Sequence, residues 1–277
     1  MHLPHVAYVV SEMDPASVTI GKAVADLGGF RPEGNACGFS LYRSGDAELV
    51  RVPGLHIFQN NLDSEIEEAF GIRPETLIFL STHRSERNIP AITFHPLGNY
   101  GTADLGGISR RLVHSPSSLL TSSMIQAAER GRGNGYEITF EATHHGPYLE
   151  CQAFFAEIGS NMRAWTDGKA AALIAESLLN ATQLNPVTAV GIGGGHYCPR
   201  FRDIAIRHRI SFAHFIPNYA LRNIDGRLAD EVLEKSGKPT ILAMHISRGF
   251  EEEAERVATL FLDRGLDIFD PSREYSK

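Results

Sequence analysis

The sequence predicts an α/β fold with a mixed, largely covered sheet flanked by helices. Short β-rich apolar runs alternate with longer segments of helical periodicity, as expected where helices cover the faces of a sheet. The 277 residues are 43% hydrophobic and 21% charged, so the chain can bury a substantial core without disulfides. We expect residues 1–277 to form a single α/β domain.

Seven runs have the composition of strands, because they are rich in β-branched, aliphatic and aromatic residues. The predicted strands are HVAYVV (5–10), TLIFLS (76–81), AITFHP (91–96), YEITFEATHH (136–145), VTAVGIGG (187–194), ISFAHFI (210–216) and TILAMHI (240–246).

Three helices are predicted between these strands. Residues 115–131 begin with capping hydroxyls and end at a glycine, and residues 166–182 carry an apolar stripe. Residues 250–265 place acids in the first turn, where the helix dipole favours negative charge. The glycine-containing segment 28–55 is predicted to be a loop-rich region or a small subdomain.

The charge balance limits the range of partners. A formal net charge of −7 argues against broad, non-specific nucleic-acid binding, which requires clustered Lys and Arg. Local basic clusters such as Arg84 with Arg87, and Arg200 with Arg202, remain within the acidic whole. In most clusters of this kind the basic side chains are simply exposed to solvent and bind no partner.

Cysteine usage and the N-terminal sequence indicate a cytoplasmic protein. The three cysteines are widely spaced and form no CxxC pair, so a disulfide framework is not expected. No window approaches the roughly 18 apolar residues of a membrane span, and the first ten residues lack the pattern of a signal peptide. We therefore expect no membrane association.

Histidines gather at the ends of predicted strands, where open α/β sheets place their ligands. Any one of them is more often a structural residue, but the number at strand ends favours a site. These residues are His83, His95, His144, His145, His196, His214 and His245.

Two of these histidines are adjacent, in the segment EATHHGPYLE. In a continuous strand His144 and His145 would point to opposite faces. A turn at Gly146 and Pro147 would instead bring both imidazoles, together with Glu150, to one rim. The segment therefore suits a site at a strand end better than a core.

The glycine-rich segment GIGGGHYCPR follows a predicted strand. It is not a dinucleotide fingerprint, because His196 stands near the expected third glycine and no acid follows about twenty residues later. Its glycines fit either a tight turn or a substrate loop whose amides bind a phosphate or an oxyanion. Cys198 fits either an inert buried thiol or a nucleophile beside His196.

Zinc is a candidate cofactor, because imidazole, thiolate and carboxylate are its usual ligands. His144, His145, Glu150, His196 and Cys198 could supply them. The sequence contains no HExxH motif and no CxxC pair, so distant segments would have to assemble the site.

Four segments together resemble the archaeal and plant type of D-aminoacyl-tRNA deacylase. They are STHRSERNIPAITFHPLGNYG, FEATHHGPYLE, FFAEIGS and VGIGGGHYCPRF, in this order. The resemblance extends over about residues 5–250. It implies hydrolysis of the ester between a D-amino acid and the 3′ end of tRNA, with two zinc ions per chain. It also implies a core similar to those of peptidyl-tRNA hydrolases and nucleoside phosphorylases.

On this resemblance, roles can be assigned to the candidate residues. We expect metal ligands at His83, His95, His144, His145, His196 and Glu150, with His145, His196 and Glu150 also the catalytic candidates. Gly193, Gly194 and Gly195 are expected to stabilise the oxyanion, and Arg84, Arg87, Arg200 and Arg202 to contact phosphates of the acceptor end.

Two other functions remain open from the residues alone. A zinc-dependent peptidase or amidohydrolase would use the same ligands on a small substrate. A non-catalytic protein that binds the tRNA acceptor stem would release nothing, although pure binding rarely needs so many titratable groups in one crevice. We expect the protein to be a monomer.

Overall fold

The computed structural model describes residues 5–86, 88–184 and 187–275. Within these ranges the strands form an eight-stranded mixed sheet and a four-stranded parallel sheet. The strands are β1 (Val6–Ser11), β2 (Arg31–Ala36), β3 (Phe39–Ser44), β4 (Ala47–Val52), β5 (Thr76–His83), β6 (Ala91–Pro96), β7 (Glu137–Phe140), β8 (Gln152–Gly159), β9 (Thr188–Gly193), β10 (Ser211–Ile216), β11 (Ile241–His245) and β12 (Asp267–Ile268).

Helices cover both sheets. The α-helices are α1 (Pro15–Gly28), α2 (Leu62–Phe70), α3 (Ser117–Arg130), α4 (Met162–Trp165), α5 (Gly168–Leu179), α6 (Pro199–His208), α7 (Gly226–Lys235) and α8 (Glu251–Leu262), with short 3₁₀ helices at His56–Phe58 and Asn218–Asn223.

The large sheet has the order β2-β3-β4-β1-β5-β8-β6-β7. Its centre, from β4 to β8, is parallel, whereas β6 runs antiparallel to β8 and parallel to β7. The small sheet has the order β10-β9-β11-β12. This architecture confirms the predicted α/β class with a mixed sheet flanked by helices; the expected likeness of the core to phosphorylases and peptidyl-tRNA hydrolases stays a prediction.

Each face of the large sheet has its own core. On one face, Val10, Ile78 and Phe94 pack with buried residues of α1, α3 and α5. On the other face, Phe79 and Phe155 pack with residues of α2. Because neighbouring residues of a strand point to opposite faces, His83, His95 and Glu157 project on the same side as Phe155.

All seven predicted strands are present, but the fourth is shorter than expected. The regular strand β7 ends at Phe140, and Glu141 and His144 form only isolated bridges. The predicted helices correspond to α3, α5 and α8. The expectation that residues 28–55 are loop-rich is wrong. In this segment β2, β3 and β4 form an antiparallel meander that extends the large sheet.

Asp14 ties α1 to the end of the central strand β5. One carboxylate oxygen caps the helix by accepting from the backbone N–H of Ser17 at 2.9 Å, and the other accepts from the backbone N–H of Thr82 at 2.9 Å. A capping carboxylate satisfies helix N–H groups that have no partner within the helix. The same side chain therefore fixes the backbone next to His83.

None of the described helices combines the length and the apolar character needed to cross a membrane.

Candidate active site and metal centre

Seven ionisable side chains meet on the face of the large sheet that carries Phe155. They come from the end of β5, from β6 and β8, from the segment after β7 and from the loop after β9. These residues are His83, His95, Glu141, His144, His145, Glu157 and His196. We call this set the histidine–carboxylate cluster.

The cluster contains three groups of potential metal ligands. In each group the ligand atoms, one per residue, lie within 4.8 Å of one another. The groups are His95, His144 and His145; Glu141, His144 and His196; and His83, Glu141 and Glu157. Such spacing is compatible with a common ion, because zinc ligands stand about 2 Å from the metal.

In the first group, each imidazole is oriented by a backbone carbonyl. Nδ1 lies 2.8 Å from the Ala142 oxygen in His144, 2.7 Å from the Gly146 oxygen in His145 and 3.1 Å from the Pro96 oxygen in His95. A ring that donates through Nδ1 keeps Nε2 free as a lone-pair donor, the usual arrangement of a metal-bound histidine. Nε2 of His95 is buried and has no hydrogen-bond partner among the described residues.

The backbone at His145 explains how two adjacent histidines reach one site. Its φ is 42°, in the left-handed region that costs a non-glycine residue of order 1 kcal/mol or more. The two imidazole centroids are consequently only 4.3 Å apart. The change of backbone direction lies at His145 itself, and no hydrogen-bonded turn forms at Gly146 and Pro147, where it was expected.

Glu141 lies in the floor of the cluster with 0% exposure. Oε1 is 2.8 Å from Nδ1 of His83, and Oε2 is 2.9 Å from Nε2 of His196. Neither oxygen has a donor aligned along a hydrogen bond within the described chain. Because a buried carboxylate needs compensation, these oxygens fit a cation at this point.

Glu157 is the second buried carboxylate, with 3% exposure. Its oxygens lie 3.6 Å from His95 Nε2 and 3.6 Å from His83 Nδ1. Burial raises its pKa, but the contacts with His83 and His95 outweigh burial and lower it to about 2. Glu157 is therefore ionised at neutral pH.

The histidines of the cluster differ in charge. Burial, followed by the neighbouring histidines, lowers the pKa of His144 well below its usual value and that of His145 to about 4. Burial also disfavours the charged form of His83, but Glu141 and Glu157 raise its pKa to about 11. His144 and His145 are thus neutral at pH 7, as metal binding requires.

Aromatic side chains hold the imidazoles in place. The ring of His95 stacks on Phe155 at 5.1 Å with an interplanar angle of 2°. The Tyr197 hydroxyl lies 2.6 Å from Nε2 of His83. The neutral imidazoles, the two buried carboxylates and the orphaned oxygens of Glu141 together fit a divalent cation.

Glu150 is not part of the cluster, contrary to the prediction. The chain leaves the site after Gly146, and the Glu150 side chain is exposed and accepts a 3.0 Å hydrogen bond from the Tyr148 hydroxyl. Its backbone N–H donates to Asp63 at 2.9 Å. The carboxylates that face the histidines are instead Glu141 and Glu157, which the sequence reasoning missed.

The glycine loop has two constrained positions and one open position. A Cβ at Gly193 would lie 2.1 Å from the backbone oxygen of His245, so the approach of β11 requires glycine there. Gly194 has a φ of +76°, which favours glycine. Gly195 is exposed beside His196 and meets neither constraint.

The predicted phosphate-binding arginines do not share one environment. Arg84 and Arg200 are exposed, with the Arg84 guanidinium 5.1 Å from the centre of the Trp165 ring. Arg202 is engaged within the protein: it donates to Asp203 at 2.8 and 3.0 Å and to the Ile138 oxygen at 3.2 Å. Arg87 lies outside the described residues.

Two predicted strand-end histidines and one cysteine lie outside the cluster. His214 is fully buried, with Nδ1 3.1 Å from the Thr143 hydroxyl, and His245 is exposed. Cys198 is buried, and burial raises its pKa well above the usual value. The thiolate that nucleophilic catalysis needs is therefore disfavoured.

The fold and the cluster define an α/β protein with a buried histidine–carboxylate centre. A family model described as D-aminoacyl-tRNA deacylase matches residues 70–269, a range that contains the whole cluster. The chain belongs to the D-aminoacyl-tRNA deacylase family.

Individual relatives agree with this assignment, and one solved structure shares the fold. A D-aminoacyl-tRNA deacylase of Picrophilus torridus is 33% identical over 82% of this chain and 85% of its own length. One of Methanococcoides burtonii is 32% identical over 96% of this chain, which spans only 57% of that longer protein. The crystal structure of the conserved protein of unknown function AF0625 superposes with a TM-score of 0.86 and 25% identity, covering 97% of this chain and 95% of the other.

Proposed function

We infer that this protein hydrolyses the ester bond of D-aminoacyl-tRNA and so releases the D-amino acid and the tRNA. The family membership supports this reaction. The observation that carries the chemistry is the buried Glu141 carboxylate, which lies 2.9 Å from a histidine that reaches the surface of the site. Ester hydrolysis needs an activated water and a stabilised oxyanion, and the cluster offers groups for both.

We propose that the cluster holds zinc in two positions. His95, His144 and His145 would hold one ion. His83, Glu141 and Glu157 would hold the other, which would take the place of the proton that the two carboxylates favour on His83. Each set forms one of the groups with closely spaced ligand atoms, and no residue belongs to both. When bound, zinc lowers the pKa of a water molecule towards about 7 and polarises an ester carbonyl.

His196 is the proposed general base. Among the cluster residues that form ion pairs, it has the most exposed side chain, at 41%. The side chain of Glu141 is not exposed. The negative charge of Glu141, 2.9 Å from Nε2, favours a proton on that nitrogen, which leaves Nδ1 to take a proton from water. This pairing of a histidine with a carboxylate recurs in hydrolytic sites.

The loop after β9 is the proposed oxyanion site. Gly195 adjoins His196, is exposed, and has nothing within 4 Å of the position of a Cβ. A substrate carbonyl can therefore approach the backbone amides of Gly194 and Gly195 closely. Amides fixed before the reaction stabilise developing negative charge without reorganisation.

Arg84 and Arg200 are the proposed contacts with acceptor-end phosphates. Both are exposed and follow closely in sequence on cluster residues, His83 and His196 respectively. Arg202 is withdrawn from this role because Asp203 and Ile138 occupy its guanidinium. Each arginine that neutralises a phosphate contributes about one unit of salt dependence.

We propose that the protein acts in the cytoplasm as a monomer. The three cysteines are unpaired, which suits a reducing compartment. The three ligand groups are formed within one chain, so a second copy is not needed to build the site.

Removal and restoration of metal tests the proposed chemistry. Protein is dialysed against a chelator, and tyrosine release from D-tyrosyl-tRNA is followed before and after zinc is added back. We expect release to disappear with the metal and to return with zinc. Full activity of protein shown to be free of metal would contradict the zinc assignment, and hydrolysis of small peptides without release from tRNA would contradict the substrate.

A further inference from the structure

Large apolar side chains are exposed beside the cluster. Phe58 is 55% exposed, Leu105 is 56% exposed and Ile108 is 42% exposed. We call these three residues the rim patch. Exposed large apolar side chains that gather near a site often mark a surface that a ligand covers.

The rim patch is attached directly to the backbone of the site. The N–H of Gly146, the residue after His145, donates to the Leu105 oxygen at 3.1 Å. A Cβ on Gly146 would lie 2.1 Å from the backbone nitrogen of Gly107, and a Cβ on Gly106 would lie 1.9 Å from the oxygen of Ile57. Backbones packed this closely hold the loop of Leu105 between the segment of Phe58 and that of His145.

The cluster opens on the side of its partly exposed histidines. His144, His145 and His196 are the members that are not fully buried, whereas His83 and Glu141 form the floor. Through the contact of Gly146 with Leu105, the rim patch adjoins this opening at His145. An acyl carbon at the cluster would therefore place its substituents near the patch.

The charge around the rim patch selects its occupant. Residues 55–61 and 101–109 contain no Lys or Arg, and their one acid is Asp104. The guanidinium of the adjoining Arg110 is bound by Asp225 and by the Asn223 oxygen. Phosphates of a nucleic acid need cations, and the exposed Arg84 and Arg200 belong to other segments, those of His83 and His196. An apolar surface whose adjoining arginine is already paired suits a side chain of the amino acid rather than a nucleotide.

We propose that Leu105 and Phe58 seat the side chain of the esterified D-amino acid and so favour large apolar D-residues over small or charged ones. This inference rests on the proposed deacylase function. Apolar contact area lost from a binding site reduces discrimination by about tenfold or more for each group removed. The preference is therefore set by a surface separate from the metal ligands.

The test compares a series of esters on one tRNA body, charged with D-tyrosine, D-leucine, D-alanine or D-aspartate. Values of kcat/KM are measured for wild type, Leu105→Ser, Phe58→Ser and the control Leu27→Ser, whose leucine is 53% exposed at the far end of α1. We expect the two patch variants to lose about tenfold on the tyrosyl and leucyl esters with little change on the alanyl and aspartyl esters. Circular dichroism spectra and thermal melts verify that each variant is folded.

Other outcomes overturn the inference in distinguishable ways. An equal loss on all four esters would assign the patch to the terminal nucleotide. Unchanged kinetics with a smaller sedimenting mass would assign it to contact with a second copy of the chain, and unchanged kinetics and mass would leave it without a role. If wild type released none of the four amino acids, the deacylase function itself would fail.

Discussion

Glu141 Oε2 lies 2.9 Å from His196 Nε2, so a carboxylate without solvent exposure is held against a histidine whose side chain is 41% exposed. The same carboxylate approaches His83 at 2.8 Å through its other oxygen. Although burial raises the pKa of Glu141, the contacts with His196 and His83 lower it well below the usual value. Glu141 therefore links the floor of the cluster to the part that a substrate can reach.

Replacement of Glu141 tests this link. Glu141→Gln keeps the shape but removes the charge, so we expect kcat/KM on D-tyrosyl-tRNA to fall by more than about 100-fold and bound metal to decrease, because even outer-shell partners of a metal contribute 10- to 100-fold. The matched control is Glu150→Gln, an exposed carboxylate outside the cluster. Metal content is measured by mass spectrometry. Equal activities of the two variants would refute the role of Glu141.

The contact between Gly159 and His83 offers a steric test. A Cβ at Gly159 would lie 2.4 Å from Cδ2 of His83, and His83 is only 3% exposed, so the imidazole has little room to move. We expect Gly159→Ala to lower kcat/KM by about tenfold or more while the protein remains folded. Gly168→Ala is the control, since nothing lies within 4 Å of its Cβ position. Wild-type kinetics for Gly159→Ala would show that His83 needs no fixed orientation.

Sequence reasoning located the histidines of the site but not its carboxylates. Strand ends were readable from apolar runs, and five of the histidines at those ends meet in the structure. Glu157 was missed because FFAEIGS was not interpreted as a strand; an isolated acid inside an apolar run was the available signal. Glu141 directly follows β7 and precedes Thr143 and His144. It was missed because its burial depends on the loop after β9, which is distant in sequence.

Misplacement of Glu150 has a similar cause. Its nearness in sequence to His145 suggested a common rim, but the path of the chain after Gly146 depends on tertiary contacts such as that of the Glu150 N–H with Asp63. The meander of β2, β3 and β4 was also missed, since the polar segment RPEGNA lacks an apolar strand pattern and pairs only at the sheet edge. Local patterns do not encode such contacts.

Stability should depend on pH through His214. Burial lowers its pKa to about 3, whereas a histidine in the unfolded chain takes up a proton near pH 6.5. Between these values the unfolded state binds more protons, so stability falls as the pH falls from 6.5 towards 3. In urea titrations between pH 6.5 and 5, the free energy of unfolding of wild type should fall by up to about 2 kcal/mol more than that of His214→Gln. Identical pH dependences would contradict this assignment.

Charge reversal tests the proposed tRNA surface. We expect Arg84→Glu to weaken tRNA binding and to reduce the slope of log K against log salt by about one. Arg31→Glu is the control, because Arg31 is exposed on β2 at the outer edge of the large sheet. Binding is measured by fluorescence anisotropy from low to physiological salt. Equal slopes for both variants and wild type would place the tRNA elsewhere.

The most direct test of the proposed function is the rate of tyrosine release from D-tyrosyl-tRNA and L-tyrosyl-tRNA, measured side by side with wild-type protein and with Glu141→Gln. We predict rapid release from the D ester by wild type, little release from the L ester, and loss of the D activity in the variant. Equal release from both esters, or an undiminished rate for Glu141→Gln, would contradict a D-specific deacylase that works through the histidine–carboxylate cluster.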